Sequence, residues 1–384
     1  MDKMKSHYSD SISANLKEYH KVCVEKIVPG GDGLVRMDGK VVFIPSVLEN
    51  EIINFKMVSE GKKFSRGQVL QILQPSKDRV IPFCSFYDRC GGCNLQHLSY
   101  DRQLSLKESF VREHFKRLAA VDLSNDFHFV PSKPKGFRNR VQFHKAERGC
   151  GFKTRSSDRV IPVNHCPVLT ESLNVFLSRE EGINQDRETF FGVGDQFYRD
   201  SILENIKVHI KGIPVHFRTD LFFQSNLSLL PELLDFSLGG YSGNHGMDLY
   251  SGVGLFSVFM RDHFSSITAI ELNPKTESFY KQNMAGYQYD YYGMSLEDWL
   301  NKKSGKSADL IVVDPPRTGL SPSVRSFILK MNVPQLVYVS CDPVTQARDT
   351  KDLLAGGYKI EAARGFDFYP QTNHMETVLR FRKD

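Results

Sequence analysis

Two short apolar runs end abruptly in residues capable of chemistry. Ala308-Asp-Leu-Ile-Val-Val-Asp-Pro-Pro-Arg317 delivers Asp314, and Leu336-Val-Tyr-Val-Ser-Cys-Asp-Pro-Val344 delivers Cys341. Runs of this length read as buried strands of a parallel sheet. Ligands of open α/β sheets sit at the carboxyl ends of such strands, so Asp314 and Cys341 are candidate walls of one site. A third stretch, Asp367-Phe-Tyr-Pro-Gln-Thr-Asn-His-Met-Glu-Thr-Val378, supplies His374 and Glu376 just before a last strand near 375–381. Two apart on an extended segment, they point to the same side, and either could be a base. A thiolate adding at C6 of a pyrimidine turns C5 into a nucleophile. A base must then take the C5 proton so that the thiolate can leave.

The electrophile for such a carbon is suggested by Gly246-Met-Asp-Leu-Tyr-Ser-Gly-Val-Gly-Leu-Phe-Ser257, which reads as strand, glycine loop and helix. Gly252 and Gly254 open the helix, and Glu271 follows about twenty residues on, where an acid binds ribose hydroxyls in dinucleotide folds. Ser257 stands where the third glycine of that fingerprint would be. S-adenosylmethionine has a ribose and no phosphate, so it tolerates this loop and still needs Glu271. With Asp248 at its strand end and Asp-Pro-Pro at a later one, the order is that of a class I methyltransferase. A nicotinamide-binding domain would not explain Asp314-Pro-Pro together with Cys341. Asp-Pro-Pro followed by an aromatic marks methylation of exocyclic amines; Arg317 in that place, and Cys341 on the next strand, favour carbon.

Cys84-x5-Cys90-Gly-Gly-Cys93 is a second centre of chemistry, and Cys166 stands alone in His-Cys-Pro. Three clustered thiols and one distant one can close a four-thiolate site for zinc or an iron–sulfur cluster. The spacing is not that of a zinc ribbon, nor the C-x3-C-x2-C of radical enzymes, and it favours [4Fe-4S]. Cys23 and Cys150 read as packing residues.

The elements that must position these groups fall into segments. At 384 residues the chain suggests two or three domains. Residues 1–17 read as a polar tail. From 18 to 75 short alternating runs punctuated by glycine, with a hairpin signal at Asp38-Gly39, predict a small OB-type β-barrel. Residues 76–216 hold the cysteines, an amphipathic helix from Ser99 to about Leu118, and a β-rich stretch. Its basic entry contains Phe137, Arg138 and Arg140, which could stack on bases and contact phosphates. From 217 to 384 strands and helices alternate, predicting a parallel sheet. Asp220-Leu-Phe-Phe-Gln-Ser-Asn226 leads into a helix over 227–234. The net charge of +5 is compatible with a polyanionic partner. With no secretory signal and no apolar run near the ~20 residues of a membrane span, a cytoplasmic protein is expected.

These motifs resemble the RNA (uracil-5-)-methyltransferases, in particular 23S rRNA-type members with an N-terminal TRAM domain. The likeness runs from Tyr19 to Phe381 and rests on Gly30-Gly-Asp-Gly33, the four cysteines, Phe223-Gln-Ser-Asn226, Asp314-Pro-Pro-Arg317, Ser340-Cys-Asp-Pro343 and Thr372-x-His374-x-Glu376. It implies that Cys341 is the nucleophile and Glu376 the base. Cys84, Cys90, Cys93 and Cys166 would ligate a [4Fe-4S] cluster. Gln224, Tyr250, Glu271 and Asp314 would join Gly252 and Gly254 in binding S-adenosylmethionine, and Phe222 would face an extruded base. The implied product is 5-methyluridine in RNA, rRNA before tRNA, made by a monomer. The rivals are a tRNA uridine-C5 enzyme, an RNA cytosine-C5 enzyme, and an RNA-binding protein with an inactive methyltransferase fold. The cytosine enzymes usually carry a second cysteine beside the Asp-Pro-Pro strand, which is absent here. Intact Cys341, Glu376 and Glu271 speak against the inactive protein.

Overall fold

The computed structural model describes residues 17–302 and 307–383, so the tail expected over 1–17 lies, apart from Lys17, outside the described residues. Two compact units are resolved: residues up to 81 with 97–99, and residues 82–96 with those from 100 onward.

The first unit is a curled six-stranded sheet. Its strands are β1 (Glu18–Cys23), β2 (Lys26–Ile27), β3 (Gly33–Met37), β4 (Lys40–Ile44), β5 (Ile52–Glu60) and β6 (Phe64–Gln74), in the order β1-β5-β6-β4-β3-β2. Met37 pairs with Lys40 across a two-residue turn in which Asp38 and Gly39 both have positive φ, the geometry that Asp-Gly favours. Alternate residues of these strands, among them Val35, Val42, Ile53 and Phe55, fill its core.

The second unit begins with the cysteine loop and α1 (Tyr100–Ala119), followed by β7 (Phe129–Val130). Strands β8 (Arg140–Lys145), β9 (Cys150–Lys153) and β10 (Val160–Pro162) come next, then α2 (Glu171–Ser178), β11 (Arg187–Val193) and β12 (Gln196–Arg199). These strands form an antiparallel sheet, β10-β9-β8-β11-β12, with α2 packed on it through Phe143, Phe176 and Phe190. A hairpin of β13 (Asn205–Ile210) and β14 (Ile213–Arg218) leads into the alternating part.

There the elements are α3 (Leu230–Leu238), β15 (Gly243–Leu249), α4 (Leu255–Met260), β16 (Phe264–Glu271), α5 (Glu277–Asn283), β17 (Tyr289–Gly293) and α6 (Leu296–Lys302). They continue with β18 (Leu310–Val313), α7 (Pro322–Met331), β19 (Gln335–Ser340), α8 (Pro343–Ala355), β20 (Lys359–Phe366) and β21 (Glu376–Arg382). Eight strands make one sheet in the order β17-β16-β15-β18-β19-β21-β20-β7. The five from β17 to β19 are parallel, and their buried faces read as continuous apolar runs, as in Leu310–Val313. This is the Rossmann-like sheet of class I methyltransferases. The sheet departs from the all-parallel expectation at β21, which runs antiparallel to both β19 and β20. It also recruits β7, from well before residue 217, beside β20. The helix expected over 227–234 starts as a 3-10 turn at Leu227–Leu229 and turns α-helical at Leu230, with Pro231 in its first turn.

Candidate active site

The antiparallel strand β21 builds the site. Ser340 lies opposite Thr377 at the end of the β19–β21 ladder, so Cys341, just past the ladder, and Glu376, the first residue of β21, are brought within electrostatic reach of one another. The register is locked from below: Thr377 Oγ1 donates to Ser340 O (3.2 Å) and to Gln346 Oε1 (2.7 Å), and Gln346 Nε2 donates to Tyr338 O (2.9 Å). Immediately after Cys341, Asp342 caps α8 by accepting from Val344 N (2.9 Å) and Thr345 N (3.2 Å), with Pro343 in the first turn. The chain thus turns sharply at Cys341 and leaves its thiol at the rim of the sheet.

A cleft of about 860 Å³ opens there. It is lined by Asp314, Cys341 and Glu376, by Tyr250, Gly252 and Glu271 at the ends of β15 and β16 farther along the sheet, and by Gln224, Phe222 and Arg138. Phe222 is 65% exposed, a large ring presented to the cleft. Two expected residues stay outside the lining. Arg140 lies behind the wall, its guanidinium 5.8 Å from the Phe222 ring centre. Gly254 packs under the loop, where a Cβ would come within 2.8 Å of the Tyr280 ring.

The glycine loop is held by two acids. Glu271 accepts from Gly252 N (2.9 Å) and from Asn273 N (2.7 Å), which fixes the carboxylate at the end of β16. Asp248, fully buried, accepts from Ser257 N (2.9 Å) and Ser257 Oγ (2.6 Å), and Tyr280 donates to the same hydroxyl (3.0 Å). Ser257, at the place of the absent third glycine, therefore ties the helix to the strand. Tyr250 sits at φ +66 at the strand end, a left-handed backbone rare for an aromatic residue. Gln224 Oε1 is buried in the cleft with no hydrogen-bond partner, an acceptor left for a ligand donor.

The electrostatics favour protons on the acids. Burial, with Asp248 nearby, pushes Asp314 up to about 7. Burial and the Asp314 charge raise Glu376 well above the usual carboxylate range, against the pull of Arg317. Burial, Glu376 and Asp314 push the Cys341 thiol up to about 12. His374 also lines the cleft, but desolvation and the positive charges of Arg317, Lys107 and Arg138 hold its imidazole below its ordinary value.

Several lining residues carried no mark in the sequence. Leu272 and Asn273 follow the end of β16, Ser295 and Glu297 come after β17, and Tyr369 precedes Pro370 on the segment that leads into β21. Leu272 and Asn273 could have been found from their place beside Glu271; Ser295 and Glu297, just before and in the first turn of α6, follow a short strand, Tyr289–Gly293, that has no apolar run to mark it.

Cys84, Cys90, Cys93 and Cys166 line one small cavity, together with Arg138 and Gly92, which also line the cleft. All four are free thiols. Burial raises Cys90, and pushes Cys93 to about 11 and Cys166 to about 12, so these sulfurs hold protons unless a metal cation replaces them. The donor set, four soft thiols around a mainly apolar cavity, fits an iron–sulfur cluster. Among the described residues no group of three or more His, Cys, Asp or Glu side chains is arranged to hold a metal ion as it stands. No described helix is long and apolar enough to cross a membrane.

The profile of the family described as tRNA (Uracil-5-)-methyltransferase matches residues 300–384. Over 94% of its length the chain is 31% identical to an uncharacterized RNA methyltransferase of Treponema denticola, covering 99% of that protein. It is 26% identical to the 23S rRNA (uracil(1939)-C(5))-methyltransferase RlmD of Vibrio parahaemolyticus, over 95% of this chain and 96% of the other. In three dimensions it is similar to the Pyrococcus abyssi tRNA (uracil-54, C5)-methyltransferase solved with S-adenosyl-L-homocysteine. That match has a TM-score of 0.72 and 22% identity, covering 94% of this chain and 99% of the other. With a full-length relative at this identity, a matching family profile over the strands that carry Asp314, Cys341 and Glu376, and the methyltransferase fold, the chain belongs to the RNA (uracil-5-)-methyltransferase family.

Proposed function

We propose that this enzyme forms 5-methyluridine in RNA, rRNA in preference to tRNA, with Cys341 as nucleophile and Glu376 as the base. The observation that carries the reading is the approach of Cys341 and Glu376 at the end of the β19–β21 ladder, in a cleft also lined by Glu271 and Gly252. S-adenosylmethionine would be held by Gln224, Tyr250, Gly252, Glu271 and Asp314 and would supply an electrophilic methyl group, leaving as S-adenosylhomocysteine. Cys341 gives up its proton to solvent as its sulfur bonds to uracil C6, and the C5–C6 π electrons make C5 nucleophilic; in the reacting state the Asp314–Glu376 pair shares one proton, carried by Asp314, which leaves Glu376 free to accept another. Once C5 carries the methyl group, Glu376 takes the C5 proton, the C5–C6 double bond re-forms, and the sulfur leaves and regains its proton. Phe222 offers a stacking face to a uridine flipped out of its RNA context. Arg138 and the N-terminal sheet, read as a TRAM domain, would hold flanking nucleotides.

RNA containing 5-fluorouridine, which has no C5 proton to lose, should trap a covalent complex with the wild type and none with Cys341→Ala. Glu376→Gln should form the adduct on ordinary uridine and release it slowly. Fast turnover by that variant would return His374 as the base. The rRNA preference follows the full-length likeness to the 23S rRNA enzyme, and mapping 5-methyluridine in both RNA classes from cells lacking the gene decides it. The four cysteines would hold a [4Fe-4S] cluster: thiols spread around a cavity wall suit a polynuclear centre better than one zinc ion with four bonds of about 2.3 Å. Brown protein with iron and acid-labile sulfide after anaerobic purification is expected; zinc in a colourless protein would overturn the assignment. The enzyme is proposed to act as a cytoplasmic monomer.

A further inference from the structure

The segment 367–375, which ends at Glu376, belongs to no helix or strand and must be held from outside. Its support comes from the residues just after the cysteine loop. Asn94, next in sequence to Cys93, and Leu95 both donate backbone N–H groups to Gln371 O (3.0 Å each). The Asn94 side chain pairs reciprocally with Asn373: Nδ2 donates to Asn373 Oδ1 (2.8 Å), and Oδ1 accepts from Asn373 N (3.0 Å). On α1, Gln103 Nε2 donates to Leu95 O and to Gln371 Oε1 (3.0 Å each), and its Oε1 accepts from Gln371 N (3.0 Å). One turn on, Lys107 Nζ donates to Tyr369 O (3.1 Å) and His374 O (2.9 Å). Gln371 sits at φ +68, a strained backbone that this network must hold in place.

These bonds join the loop that carries Cys84, Cys90 and Cys93 to Gln371 and to Asn373, three residues before Glu376. We infer that Asn94 and Gln103 are positioning residues for Glu376, and that the Asn94–Asn373 pair ties the placement of the base to the state of the cysteine cavity. Resting on the proposed roles of Cys341 and Glu376, the inference gives the thiol site a task in a reaction that moves no net electrons. The thiols hold the loop, the loop holds the base, and loss of the occupant slackens proton removal while leaving the cofactor end of the cleft intact. Glu271 and Gly252 have their own support, independent of this strap.

The test compares wild type with Asn94→Ala, Asn373→Ala, the double variant and Cys93→Ser. Asn94→Ala keeps all four thiols and both backbone donors. Three readouts are taken: the S-adenosylmethionine dissociation constant by calorimetry, kcat and KM on uridine RNA with the amount of covalent adduct, and amide hydrogen exchange across 367–376. The expected result for Asn94→Ala is a kcat at least tenfold lower, with accumulated adduct and at least tenfold faster exchange. Its cofactor affinity should stay within twofold of wild type. Asn373→Ala should match it, and the double variant should be no worse than either, because the pair acts as a unit. Cys93→Ser should speed exchange in the same segment while still binding S-adenosylmethionine; unchanged exchange there overturns the link to the cavity. Unchanged kcat and exchange in Asn94→Ala, or additive losses in the double variant, overturn the positioning role. Should the wild type itself form no adduct with 5-fluorouridine RNA, the proposed chemistry fails instead. The exchange readout still judges the strap.

Discussion

Lys107→Met separates structural support from chemistry. Lys107 and Asp367 have fully buried side chains, with Nζ 2.5 Å from Oδ1, and the Tyr100 hydroxyl is the other polar group beside the carboxylate. Methionine fills nearly the same volume but leaves a carboxylate in the core and takes the donor from Tyr369 O and His374 O. Breaking a buried pair from one side costs about 3–5 kcal/mol. Tyr369 O keeps the bonds it accepts from Thr372 N (3.2 Å) and Thr372 Oγ1 (2.8 Å), so His374 O is the carbonyl left stranded, which adds ~1–3 kcal/mol where water cannot reach it. A loss of about 5 kcal/mol is expected on these grounds, enough to threaten a fold whose whole stability is on the order of 5–15 kcal/mol. The single tryptophan of the chain, Trp299 on α6, is buried at 3% exposure in the same unit and reports its unfolding in urea. Adding Asp367→Asn removes the stranded charge and should restore roughly half of the loss, leaving the carbonyl penalty. A loss below about 1 kcal/mol for Lys107→Met, or a double variant no more stable than the single one, would refute the reasoning.

Three further outcomes follow from the site. The raised carboxyl of Asp314 means that the folded chain holds a proton that the unfolded chain releases between pH 3.8 and about 7, so this contribution to stability is present below that window and lost as pH rises through it. Asp314→Asn should therefore match wild type in urea midpoint at pH 4 and exceed it at pH 8 while losing methyl transfer; a difference that does not change with pH would exclude the cause given. Gly252→Ala meets open space and pays only for φ +55, about 1–2 kcal/mol, whereas Gly254→Ala adds a clash with the Tyr280 ring at 2.8 Å. Thermal unfolding and calorimetry with S-adenosylmethionine should rank Gly254→Ala as much the worse, and equal effects would mean the loop relaxes freely. Glu271→Gln can no longer accept from both Gly252 N and Asn273 N, and should weaken S-adenosylmethionine binding by roughly 10–100-fold, about 1.4–2.8 kcal/mol; affinity within twofold of wild type would show that the loop does not depend on this acid.

The sequence by itself determined what local pattern can carry. The apolar runs before Asp314 and Cys341, the Gly252–Gly254 loop after its strand, and the Asp38-Gly39 turn are each written within a dozen residues, and the backbone has few other ways to satisfy them. What lies far apart in the chain was decided only by the tertiary structure. Cys341 and Glu376 are 35 positions apart, and their approach depends on β21 entering the sheet antiparallel and in one register; a slip by one residue would turn the carboxylate to the other face. From sequence His374 and Glu376 were equivalent candidates. In the structure Glu376 is buried as the first residue of β21, whereas His374 stands on the preceding loop beside Arg317. Cys166 reaches the cavity of the other three thiols, and Lys107 reaches Asp367, 260 residues later, through packing that no local periodicity records. Chemistry-bearing residue types are chosen locally, whereas their distances and proton affinities arise from burial and long-range pairing, which exist only once the sheet has closed around them.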